Sequence, residues 1–162
     1  MSHDTGGDRL AALEDQVAQL VAKDHIRSLA ATYQRACDGG WDRPTHGDPE
    51  FLTSLFTDDA SYFLPHLGEA NGSAGIRDMF VRLQPIPWII HFLANDILRV
   101  DGDTASGEFK CAAVLVQDGE RIFTFGTYAG TFHRVDGEWK FSSWHFHRAQ
   151  QPESTPGAIP AT

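Results

Sequence analysis

Polar and apolar positions along the chain change their period once, near residue 87. From Leu10 to Ala36 the residues Leu10, Leu13, Val17, Leu20, Val21, Ile26, Leu29, Ala30 and Tyr33 recur three or four apart. That spacing predicts an amphipathic helix, with a break near Lys23-Asp24. Asp38-Gly39-Gly40 supplies its stop. Asp48-Pro49-Glu50 starts a second, short helix through Phe56, because Asp caps a helix and Pro suits its first turn. A strand over Ser61–Pro65 follows, and Asn71-Gly72-Ser73 precedes a third helix over 74–83 that puts Ile76, Met79 and Phe80 on one side.

After that the alternation is strict. Strands are predicted over 88–100, 104–117, 121–135 and 138–148, joined at Asp101-Gly102-Asp103, Asp118-Gly119 and Asp136-Gly137. Asp-Gly turns between alternating segments favour hairpins, so the layout is helices first and a long antiparallel meander after them, an α+β fold with helices on one face of a curved sheet.

Length and composition narrow this picture. With 162 residues the chain fits one domain, expected over 9–149, with flexible tails at 1–8 and 150–162, the latter holding Pro152, Pro156 and Pro160. A net charge of -9, from 13 Lys+Arg against 22 Asp+Glu, argues against nucleic acid as a partner. No apolar run is long enough to span a bilayer and the first residues, MSHDTGGDR, are no signal sequence, so neither a membrane partner nor export is expected and the location is read as cytoplasmic. Cys37 and Cys111 have no metal-type spacing and read as reduced thiols. No phosphate loop or dinucleotide fingerprint is present, so no cofactor is expected.

One position resists the pattern. PWIIHFLAND, residues 87–96, is a strand built to bury itself, yet it carries an imidazole, His91. Alternation puts Ile89, His91, Leu93 and Asn95 on one face, with Ile90, Phe92 and Ala94 on the other. His145 and His147 also share a strand face, but lacking an acidic or Cys partner they point to no metal site.

The segments HIRSLAATYQRACD, FLTSLFTDDASYF, GIRDMF, IIHFLANDILRVDGDTASGE and GTYAGTFHRVDGEWKFSSW, in this order, resemble the NTF2-like superfamily and its SnoaL-like domains over about residues 10–149. The resemblance implies a cystatin-like cone, in which a bent antiparallel sheet wraps a long helix around an apolar pocket. Within it the chain is similar to the lyases scytalone dehydratase, hexachlorocyclohexane dehydrochlorinase and bile acid 7α-dehydratase. There an Asp at the end of the first long helix pairs with a His on the first long strand, the places held here by Asp38 and His91. Tyr33 matches a Tyr of the bile acid enzyme five residues before the Asp. Likeness to the dehydrochlorinase implies that Tyr62, Val114, Tyr128 and Trp144 face the cavity, alternation adds Ile89 and Leu93 if His91 points in, and likeness to the bile acid enzyme implies that Arg148 reaches the mouth.

The chemistry implied is an elimination. An imidazole oriented by a carboxylate keeps one nitrogen free as a base for a carbon-bound proton, and a nearby phenol stabilises the charge that develops. The expected function is a cofactor-independent lyase expelling water, halide or formaldehyde from a hydrophobic, aromatic or polycyclic small molecule, assembled as a homotrimer or homodimer. Ala112, Val114 and Val116 stand where the dehydratases carry a second polar group, and Trp144 where the dehydrochlorinase carries Arg, so the reaction type is implied rather than one substrate. Two other readings share the fold: a ketosteroid-type isomerase with Asp38 as base, and a non-catalytic small-molecule-binding or oxygenase-associated domain.

Overall fold

The computed structural model describes residues 6–39, 47–117 and 119–149. Residues 1–5 of the tail expected over 1–8, the tail expected over 150–162, Gly40 of the helix stop and Asp118 of one turn lie outside them. Helix α1 spans Gly6–Cys37, so it takes in Gly6–Asp8 and runs unbroken through Lys23-Asp24. Neither Lys nor Asp removes a backbone donor, and sharp interruptions need Pro or an inserted group. Only its second half is buried, through Ala22, Ile26, Leu29, Ala30, Tyr33, Ala36 and Cys37. The first half exposes Leu10, Leu13, Val17, Leu20 and Val21.

Helix α2, Pro49–Ser54, starts at Asp48, whose side chain accepts from the Glu50 N–H. It ends two residues sooner than its pattern suggests, because Phe56 already begins strand β1, Phe56–Leu64. Strand β2, Gly68–Asn71, folds back on β1 and has no counterpart in the sequence pattern; four residues are too few to show a period. Helix α3 covers Gly72–Leu83 and buries Ile76, Met79 and Phe80. The four long strands are β3 Trp88–Asp101, β4 Thr104–Gln117, β5 Glu120–Val135 and β6 Glu138–Arg148. At Asp136-Gly137 both φ angles are positive, 52° and 85°, the conformation that makes Asp-Gly a hairpin turn.

These strands form one curved, unclosed sheet in the order β2-β1-β6-β5-β4-β3. It is mixed rather than wholly antiparallel, since β1 lies parallel to β6. The reason is topological: β1 reaches the meander only after α3, and joins its last strand rather than its first. The concave face packs on the buried half of α1. There Phe132, Phe141 and Trp144 are fully buried, with Tyr33 5.7 Å from Phe141 and 5.9 Å from Trp144, ring centre to centre. Gly126 and Gly130 on β5 leave room for the rings of Phe146 and Trp144, since a Cβ at either would meet those rings within 2.6 Å.

A bulge interrupts β3. Pairing with β4 shifts between Ala94 and Ile97, and Asn95 takes φ 52°. Asp96, beside it, receives the Arg27 guanidinium of α1 at 2.9 Å. The extra residue ends the alternation, so Asn95 does not continue the face of His91, and Ile97 turns outward while Leu98 is buried.

Candidate active site

Helix α1 ends against β3 through backbone and side chain together. The Asp38 N–H closes the helix on Gln34 O, and the Gly39 N–H donates to Ile89 O at 3.0 Å. Asp38 is thereby placed, 2% exposed, behind His91. Its Oδ1 accepts the His91 backbone N–H at 2.9 Å and lies 2.7 Å from His91 Nδ1. Gln34, one helical turn earlier, donates through Nε2 to His91 O at 2.6 Å and lies 3.4 Å from Asp38 Oδ2. A carboxylate only accepts, so in the neutral form of the ring this bond selects the tautomer with its proton on Nδ1 and its lone pair on Nε2.

His91 lines a cavity of about 700 Å³ between α1, α3 and the concave sheet. Its walls are apolar: Leu52, Leu64, Phe80, Ile89, Ala113, Leu115, Ile122 and Phe146 all contribute. The inner end holds three phenols. Tyr33 Oη is 2.8 Å from Tyr62 Oη and 3.3 Å from Tyr128 Oη, and all three side chains are buried and line the cavity. Burial holds the Tyr33 and Tyr128 hydroxyls well above the ordinary phenol range and raises that of Tyr62 as well. They are therefore donors at neutral pH, not bases. Burial likewise pushes the thiols of Cys37 and Cys111 up to about 12, so neither is a thiolate nucleophile at neutral pH.

The residues singled out from the sequence separate into three groups. Tyr33, Tyr62, Ile89, His91, Tyr128 and Arg148 line the cavity, with Asp38 behind His91. Leu93 and Trp144 do not line it. Leu93 packs against the core, and Trp144 lies one layer back, stacked on Tyr128 at 4.8 Å and 6°. Val114 is on the wrong face: it pairs with Ile90, while His91 pairs with Ala113. Continuing the register of the Asp101/Thr104 turn would bring Val114 opposite His91; the bulge at Asn95 shifts it by one. Cys111, Ala113 and Leu115, on the face of β4 that also buries Ala105 and Phe109, line the wall instead, and the bulge turns His91 to that face. Gln34 also escapes the sequence reading, although its place four residues before Asp38 puts both on one helix face. His145 donates to or accepts from Ser61 Oγ at 2.8 Å and packs, like His147, on Phe63. Among the described residues no group of three His, Cys, Asp or Glu side chains is arranged to hold a metal ion, and no helix is long and apolar enough to cross a membrane.

The model of the SnoaL-like domain family matches residues 18–145. Among solved structures, LinA, whose other forms are described as hexachlorocyclohexane dehydrochlorinase, superposes with a TM-score of 0.69 at 25% identity, covering 81% of this chain and 88% of the other. A provisionally named scytalone dehydratase from Novosphingobium aromaticivorans gives 0.69 at 21% identity over 81% and 86%. An NTF2-like protein with a cystatin-like fold, also from Novosphingobium aromaticivorans, gives 0.68 at 23% over 90% of each chain. A search of curated proteins returned no significant match.

Proposed function

The chain belongs to the SnoaL-like domain family, and we propose that its cavity is the active site of a cofactor-independent lyase acting on a hydrophobic small molecule. The observation that carries this reading is the ring of His91, which is held at Nδ1 by the buried Asp38 and lines an apolar cavity. His91 Nε2 takes a proton from a carbon next to an activating group. The electron pair of that C–H bond becomes the new double bond, and a neighbouring substituent leaves with its bonding pair as halide, or as water by taking up the proton that the His91 imidazolium returns. Asp38 stabilises the imidazolium so formed, and the apolar walls keep water from competing for the base. The hydroxyl of Tyr33, fixed by Tyr62 and Tyr128, donates to the oxygen on which charge develops. The dehydratase and dehydrochlorinase named among the similar structures support elimination as the reaction class.

Asp38 lines no part of the cavity, which counts against the isomerase reading in which it is itself the base. The exposed outer face of β3, β4 and β5, with Phe92, Phe123 and Phe125, supports assembly with further copies of the chain as a homotrimer or homodimer. The function is tested by incubating the protein in D₂O with a panel of hydrophobic alcohols, halides and diaryl diols. Elimination, or deuterium uptake at an acidic C–H, is expected from the native chain and lost in His91→Gln. Turnover that survives this substitution would sink the proposal.

A further inference from the structure

The chain carries 22 acidic residues against 13 basic ones, yet among the described residues that line the cavity there is no Asp or Glu. Its charged side chains are instead cationic: Arg82 in the last turn of α3 and Arg148 at the end of β6, with the imidazole of His66, between β1 and β2, beside them in the lining. All three are exposed, so they belong to the rim and not to the buried end. Three arginines elsewhere are neutralised locally, Arg27 by Asp96, Arg77 by Glu50 and Arg134 by Asp103. Neither Arg82 nor Arg148 pairs with a carboxylate among the described residues.

An apolar cavity with cations only at its entrance sorts a ligand end for end. We infer that the substrate is an apolar body bearing one anionic group, a carboxylate in the simplest case. The inference rests on the cavity being the substrate site and is independent of what His91 does there. The body fills the space against Phe80, Ile89 and the three phenols, where burial of apolar area drives binding. The anion stays at the mouth, where the forked donors of Arg82 and Arg148 meet it without dehydrating it fully. Exposed cations of this kind contribute modestly to affinity but set orientation and speed capture. That orientation directs the opposite end of the molecule toward the three buried phenols.

Two fluorescent probes with the same aromatic body separate the terms: anilinonaphthalene sulfonate, an anion, and phenylnaphthylamine, its neutral counterpart. The native protein should bind the sulfonate more tightly, with an advantage that shrinks as salt is raised. In R82Q/R148Q the sulfonate should weaken by about tenfold while the neutral probe keeps its affinity, which also certifies the fold. Equal affinities for the two probes in the native protein, or a parallel loss of both in the variant, overturn the inference. If neither probe enters the native cavity, the reading of the cavity as a hydrophobic ligand site falls as well, an outcome distinct from a missing preference for the anion.

Discussion

One carboxylate oxygen of Asp38 meets His91 twice, at the backbone N–H (2.9 Å) and at ring Nδ1 (2.7 Å). The strand and its imidazole are thus positioned by the same atom, so structure and chemistry are coupled at this point. Asp38→Ala leaves a buried backbone donor without its partner, and should cost about 1 to 3 kcal/mol in urea denaturation. Asp38→Asn keeps an oxygen for the backbone N–H but no longer stabilises an imidazolium. It should lie within about 1 kcal/mol of the native chain and yet lose turnover by roughly 10²-fold or more, the scale of positioned proton transfer. Equal turnover in the Asn variant and the native chain would remove Asp38 from the chemistry.

How far this site can be read in the sequence depends on which contacts are local. The long strands follow from alternation and Asp-Gly turns, and their observed ends differ from expectation by at most a residue. The pairing of Asp38 with His91 is reached only through resemblance, because nothing local ties a helix end to a strand 53 residues on. What alternation cannot show is a change in its own phase. The bulge at Asn95 exchanges Val114 for Ala113 opposite His91, and Asn95 itself announces it only weakly, as a residue tolerant of positive φ. The parallel contact of β1 with β6 is invisible for a different reason: it joins segments separated by about half the chain, with no single turn sequence between them.

The shared hydroxyl of Tyr33 gives a second prediction. Phe at this position fills the same space, leaving Tyr62 Oη and Tyr128 Oη without their common neighbour. If Tyr33 steadies a developing oxyanion, Tyr33→Phe lowers kcat by about 10- to 10³-fold with little change in KM. A rise in KM alone, with kcat intact, would reduce Tyr33 to a wall residue.

Alkaline pH should unfold the protein through the same cluster. The chain has three tyrosines, and Tyr33, Tyr62 and Tyr128 are all of them. Their folded-state acidities are raised by burial, as are those of Cys37 and Cys111, which reach about 12 from an ordinary 9.0. The unfolded chain therefore releases these protons first. The stability they confer is complete below pH 9, begins to fall there as unfolded thiols ionise, falls further above the ordinary phenol value of 10.0, and for the thiols is exhausted beyond about 12. Tyrosinate absorbance should then rise in one cooperative step together with loss of circular dichroism. A gradual titration near pH 10 in a chain that remains folded would contradict the buried cluster.

The convex side of the sheet makes the last prediction. Cross-strand register places Ile90, Val114 and Phe123 in one row and Phe92, Ala112 and Phe125 in the next, running side by side across β3, β4 and β5. The same bulge that sets the cavity wall fixes this face, since shifting the register of β3 by one would break both rows. Phe92, Phe123 and Phe125 are 56%, 57% and 49% exposed, an apolar surface of the kind that marks contact with another chain. A stable contact needs about 800 Å² from each partner, and the rows supply its apolar centre. Sedimentation should therefore find a dimer or trimer at micromolar concentration, and F123S/F125S should shift it toward monomer without unfolding it, because neither ring contributes to the core. A native chain that sediments as a monomer, or a variant that still assembles, would place the interface elsewhere.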